Sequence, residues 1–335
     1  MSNTPASRPT ASRRYFLGGT AALALLPLTA TAQHITANAS LQSTPGQDTA
    51  TLAAKEDSAS HLTVEVRING QGPYHFVVDT GAERSVIADN VAAVLNLPQG
   101  KSVLVDGISS RILAQTVNVD ALSFGPFVKN NLSLPVLART SLFADGYLGL
   151  DVINGSRVTF DFTNKAVHIE QPHTLSPTQD NAETARVSAR GSSGKLRVTD
   201  CMVDSIPANA FIDTGAEVSV GNTPLFERLS GRNHGVLQTG TIVLTGVTGG
   251  EIQGQVINVS RIKLQDLSFT NGSLAIADVP DFDNWDLRNH PALLIGMDYL
   301  RQFASVTIDY RAKEIRFELS LAPPLPTPGV EIASV

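Results

Sequence analysis

Cysteine is almost missing: Cys201 is the only one in 335 residues. A single thiol excludes an internal disulfide and any cysteine-built metal site. The seven histidines include no pair at metal-ligand spacing, so no metal site is read. Basic charge is also short, with 25 Lys+Arg against 31 Asp+Glu and a net charge of −6. Residues 1–32 hold Arg8, Arg13 and Arg14 and no acid, so without them the charge is −9. That balance lacks the basic footprint of a nucleic-acid binder. There is no G-x-S-x-G elbow and no phosphate-binding glycine motif. What is present is a globular composition, 42% hydrophobic and 17% charged, able to bury a sizeable core in one large or two medium domains. Chemistry is left to oxygen-bearing side chains, and no cofactor is expected.

Residues 12–17 read Ser-Arg-Arg-Tyr-Phe-Leu, ahead of a short apolar stretch and the run Ala30-Thr31-Ala32. Paired arginines, an apolar segment and an A-x-A pattern make a twin-arginine export signal, with cleavage expected after Ala32. A membrane anchor needs about 20 apolar residues, and Gly18, Gly19 and Pro27 interrupt a segment that is already too short. The expected mature chain is therefore periplasmic or secreted, without stable membrane insertion. Residues 33–58 have no clear period and read as a flexible linker, with a propeptide as the alternative.

The strongest signal is an internal repeat. Phe76-Val-Val-Asp79-Thr80-Gly81-Ala82-Glu83-Arg-Ser85-Val recurs as Phe211-Ile-Asp213-Thr214-Gly215-Ala216-Glu217-Val-Ser219-Val. Val103–Gly107 recurs as Ile242–Gly246, Leu148–Asp151 as Ile295–Asp298, and Val158–Phe162 as Val306–Tyr310, always in the same order. Asp79 to Gly149 spans 70 positions and Asp213 to Gly296 spans 83. The 13 extra residues, five before the glycine turn and eight after it, are expected in surface loops. The repeat places lobes at 59–172 and 186–320, a linker at 173–185 and a Pro-rich tail at 321–335. Alternating segments such as Leu62–Ile68 make the expected class mainly all-β. Val167–Ile169 and Ile315–Phe317 are read as second arms of hairpins. Short helices are expected after Asp151 and Asp298, with each aspartate capping the first turn.

One Asp-Thr-Gly reads as an ordinary turn. Two, each after an apolar run and upstream of a glycine turn and an apolar-apolar-Gly, point to a pair of carboxylates delivered on tight loops. Two related lobes about a pseudo-twofold axis would bring Asp79 and Asp213 face to face. Like charges so close cannot both ionise, so the pair would share one proton. A charged base beside a neutral acid can direct water at a carbonyl and then protonate the leaving amine.

These motifs resemble the aspartic protease superfamily, as two retropepsin-like units fused into a pepsin-like pseudodimer. The resemblance covers roughly residues 60–319 and implies a two-lobed acid-protease fold with catalytic Asp79 and Asp213. It also implies that Thr80 and Thr214 interlock beneath them, with Gly81, Ala82, Gly215 and Ala216 completing the two loops. Gly107-Ile108-Ser109 and Gly246-Val247-Thr248 correspond to flap tips; plain surface turns are the other reading. Glu83 and Glu217 fall where relatives line the substrate cleft, or they form salt bridges. No flap tyrosine is present. Alanine at 82 and 216 offers no hydroxyl to favour a charged carboxylate, so mildly acidic activity is expected. The partner implied is a peptide or protein substrate, cut by a monomer. A peptide-binding protein without turnover and a homodimer with dyads between chains remain as alternatives. Asp278–His290, with four aspartates and Trp285, is read as a solvated loop near the cleft, lacking the ligand series and Gly of a calcium loop.

Overall fold

A computed structural model describes residues 14–16, 42–43, 48–57, 61–171, 184–191, 196–232, 236, 238–319 and 329–332. Strand accounts for 56% and helix for 13%, so the all-β expectation holds. Its cause is visible in Leu62–Ile68, which buries Leu62, Val64, Val66 and Ile68 and exposes Glu65 and Arg67. The chain forms two six-stranded barrels on one plan. In the first, Gln71–Val78 runs antiparallel to Leu62–Ile68 and parallel to Gly146–Leu148, which Val86–Ala88 flanks. In the second, Ile206–Ile212 pairs antiparallel with Arg197–Val203 and parallel with Ala292–Ile295, which Val220–Gly221 flanks. Each Asp-Thr-Gly therefore leaves a strand that lies beside its own apolar-apolar-Gly segment.

Six strands join the lobes, in the order Thr184–Ser188, Glu314–Leu319, Phe303–Asp309, Arg157–Asp161, Ala166–Glu170, Thr49–Glu56. Both expected hairpins are present in it. At its centre Thr159 pairs with Thr307, their hydroxyls 2.8 Å apart. These residues are equivalent in the repeat, so the pseudo-twofold axis passes between them. Arg157 locks the join by donating to Asp309 at 3.0 Å and to Glu170 at 3.1 Å.

The same symmetry corrects the linker reading. Thr49–Glu56 is a strand, the counterpart of Thr184–Ser188, and it closes an edge that Ala166–Glu170 would otherwise leave unpaired. Thr184 and Ala185 likewise belong to a strand, not to the linker between the lobes. Within the tail, Gly329–Ile332 pairs with Leu267–Thr270. Of the export signal only Arg14–Phe16 is described, as a strand beside Val243–Thr245; its remainder and 172–183 lie outside the described residues. The extra residues of the second copy are not only loop. They lengthen a helix, Thr223–Arg232 against Asp89–Val94, and enlarge the segment around Pro280–Asn284, the counterpart of Arg139–Leu142.

Candidate active site

Asp79 and Asp213 each stand one residue beyond the end of a strand. Their backbone N–H groups stay tied to the neighbouring strand, Asp79 N to Leu148 O at 2.9 Å and Asp213 N to Ile295 O at 3.0 Å. Both are buried, 0% and 1% exposed, and each carboxyl lies within reach of the other. Asp79 Oδ1 accepts from Gly81 N at 2.7 Å and Ala82 N at 3.1 Å, whereas Asp213 Oδ1 accepts from Gly215 N at 2.9 Å. The Oδ2 atom of each is buried and receives no donor from the described protein. The glycines make this approach possible. A Cβ on Gly81 would sit 2.6 Å from the Asp213 carboxyl carbon, and one on Gly215 would collide with Asp79 in the same way.

Below the carboxyls the threonines interlock reciprocally. Thr80 N donates to Thr214 Oγ1 and Thr214 N to Thr80 Oγ1, both at 3.1 Å. Thr80 Oγ1 donates to Ile212 O at 2.9 Å and Thr214 Oγ1 to Val78 O at 2.7 Å. Ala82 and Ala216 are buried, and their carbonyls accept from Leu150 N and Met297 N, both at 2.8 Å.

The surroundings separate the two acids. Burial raises the pKa of Asp79, while the Gly81 and Ala82 N–H groups and the charge of His61 pull it back. Burial raises Asp213 well above the carboxylate range, and the charges of Asp79 and Asp281 push the same way against the Gly215 N–H. Two buried carboxyls so close cannot both ionise, so the pair shares one proton, and its two titrations belong to the pair. That arrangement can accept a proton from water at the ionised carboxyl and donate one to a carbonyl oxygen from the neutral one.

Asp151 and Asp298 are not helix caps. The N-cap positions belong to Gly149 and Gly296. Each aspartate instead accepts from a serine in the dyad loop of its lobe. Ser85 N and Oγ reach Asp151 Oδ1 at 2.9 and 2.7 Å; Ser219 N reaches Asp298 Oδ2 at 3.0 Å and Oγ reaches Oδ1 at 2.7 Å. The serine oxygens accept in turn from Gly149 N and Gly296 N. This brace ties each dyad loop to its apolar-apolar-Gly strand. Its signal was in the sequence, since both serines recur in the repeat.

The glycine turns cap two hairpins, Val103–Asp106 with Arg111–Ala114 and Gln238–Thr245 with the first half of Glu251–Leu264. Their tips meet: Ser110 Oγ and Thr248 Oγ1 are 3.0 Å apart. A Cβ on Gly107 would strike Thr248, and one on Gly246 would strike Ile108. Ile108 is buried with Ala216, Val220 and Leu244 of the other lobe, and Val247 is buried as well. Ser109 is exposed and Thr248 half-buried. Glu83 and Glu217 are half-buried, their carbonyls accepting from Asp151 N and Asp298 N.

The aspartate-rich segment is a short helix, not a solvated loop. Asp281 and Phe282 are buried, and Trp285 stacks on Phe211 with ring centroids 3.7 Å apart. A pocket lined by Phe211, Trp285, Ile308 and Tyr310 opens beside Gly81 and Asp213. His61, Phe211 and Tyr310 were not singled out from sequence. Among the described residues no group of three or more His, Cys, Asp or Glu is placed to hold a metal ion.

Two β-barrel lobes closing on a buried pair of aspartates define the acid-protease class of fold. A family model described as aspartyl protease matches residues 64–152 and 199–299, one stretch per lobe and more than half of the chain. The chain belongs to the aspartyl protease family. No curated protein matches it closely.

Proposed function

We propose that this protein is an aspartic endopeptidase whose dyad, Asp79 with Asp213, is completed within one chain. The observation that carries the reading is the pair of mutually buried carboxyls whose inner oxygens are held by backbone N–H groups and whose outer oxygens have no protein donor. Water attacks the scissile carbonyl carbon, giving a proton to the ionised carboxyl of the dyad while the neutral one protonates the carbonyl oxygen. The carbon–nitrogen bond then breaks as the amine takes a proton from the dyad. Positioned acid–base groups of this kind contribute about 10²–10⁴-fold each. The flap tips meet above this centre, so substrate entry requires them to part.

The family match supports a protease, and residues 1–32 support export by the twin-arginine route with cleavage after Ala32. The partner is a peptide or protein substrate, and the mature chain acts as a monomer. Residues 1–32 removed, the purified chain should cleave a peptide library best in mild acid and be blocked by a pepstatin-type inhibitor. Asp79→Asn and Asp213→Asn should each abolish cleavage; undiminished cleavage by either variant defeats the reading.

A further inference from the structure

Apart from Thr80 and Gly81, the pocket beside the dyad is walled by the second lobe and the joining sheet, with Phe211, Trp285, Ile308 and Ile315 as apolar members and Asp213 and Tyr310 as polar ones. It has room for about one water-sized group. Tyr310 is 7% exposed, and its hydroxyl is buried with no hydrogen-bond partner among the described residues. Burial, with the charges of Asp79 and Asp213 acting in the same direction, raises its pKa far above the ordinary tyrosine range. The hydroxyl therefore keeps its proton and can both donate and accept. The repeat shows that the fold does not require it. Val158–Phe162 corresponds to Val306–Tyr310, so the first lobe holds Phe162 at this place, packed against its core without a hydroxyl. Leaving a buried hydroxyl unpaired costs about 1–3 kcal/mol, a cost that phenylalanine would avoid. Phe211 is peculiar to the second lobe in the same way, since its counterpart is Val77.

We propose that this pocket is a specificity site for a short hydroxyl-bearing side chain of the substrate, serine or threonine, next to the scissile bond, and that Tyr310 is the residue that selects it. The inference rests on the endopeptidase reading above. Gly81 and Asp213 line the same pocket, so a side chain that fills it lies against the catalytic centre. The space excludes aromatic and long side chains. A carboxylate or an ammonium would have to shed its hydration among Phe211, Trp285 and Ile308. A carboxylate would also meet like charge from the dyad. An amide brings several donor and acceptor sites to a place that offers one free partner. A small apolar side chain fits but leaves the Tyr310 hydroxyl unpaired. A hydroxyl matches that one partner, and the methyl of threonine suits the apolar wall. Because the first lobe has Val77 and Phe162 at the equivalent places, the preference falls on one side of the scissile bond although the two dyad loops are alike.

The test starts from one peptide that the mature chain cleaves, found in a library. It is resynthesised with threonine or its isostere valine at each position flanking the cut, and kcat/KM is measured for wild type and Tyr310→Phe. At one position the wild type should favour threonine over valine by about tenfold, the effect of one buried hydrogen bond. Serine there should outpace alanine in the same way, and Tyr310→Phe should abolish both preferences. The wild-type series stands without the variant: equal rates for threonine and valine at every position overturn the inference, as they would if the pocket held water alone. A threonine preference that persists in folded Tyr310→Phe overturns it too. Either result leaves the endopeptidase reading intact, because the peptides are still cut. A wild type that cleaves no peptide overturns that reading and this inference with it.

Discussion

Two hydroxyls do for the dyad what a disulfide does elsewhere. Thr80 Oγ1 donates to Ile212 O and accepts from Thr214 N, and Thr214 Oγ1 makes the mirror pair with Val78 O and Thr80 N. Every one of these bonds crosses from one lobe to the other. Thr80→Val keeps the volume and strands two buried backbone groups, each worth about 1–3 kcal/mol. The expected loss is about 2–4 kcal/mol in unfolding free energy, with at least a tenfold fall in kcat/KM, while Thr80→Ser retains most of both. Denaturant midpoints read beside activity check this; a valine variant as stable and active as wild type contradicts it. At this scale the repeat made Asp79, Asp213 and both threonines legible, because the same residues recur in the same order. Asp151 and Asp298 were misread, since a local cap and a bond to a serine more than 60 positions away look alike in sequence.

The two glycine hairpins behave as one element. The first hairpin sends Ile108 into an apolar cluster of the other lobe, Val247 at the second tip is buried, and Ser110 and Thr248 bring their hydroxyls together. Neither hairpin can lift without disturbing the other. Replacing Ser110 and Thr248 together by cysteine should let a disulfide form, since side-chain atoms 3.0 Å apart put the β-carbons near the span such a bond requires. Cys201 is buried and does not compete. The oxidised double variant should lose nearly all turnover and regain it on reduction, whereas full activity when oxidised shows that substrate enters without the tips parting. The hairpins themselves were readable from apolar runs around glycine. The packing of Ile108 against the other lobe was not, because it depends on the lobes facing each other. Thr49–Glu56 escaped for a related reason: an alanine-rich stretch has little strand propensity, and a partner's open edge orders it.

For the whole molecule, one axis passes through two contacts between equivalent residues, Thr159 with Thr307 in the joining sheet and Thr80 with Thr214 under the dyad. Along that axis the fold buries four carboxyls, those of the dyad and of the two serine braces, and burial raises the pKa of Asp79, Asp151, Asp213 and Asp298 alike. Asp298 rises from 3.8 to about 6. An acid whose folded pKa lies above its unfolded value stabilises the fold fully below the unfolded value, and that contribution is lost as pH climbs through the folded one. For Asp298 the loss runs between about pH 4 and pH 6, and at ~1.4 kcal/mol per unit it amounts to about 3 kcal/mol; the other three act in the same direction. Asp161 opposes them: despite partial burial, hydrogen bonds from Asn164 hold it low, but it is one group near the surface against four in the interior. The melting temperature should therefore be higher near pH 4.5 than at pH 7, and Asp298→Asn should flatten part of that slope. A melting temperature that falls on acidification over this interval would mean that these carboxyls are not held protonated by the fold, and the proton shared by Asp79 and Asp213 would lose its physical basis.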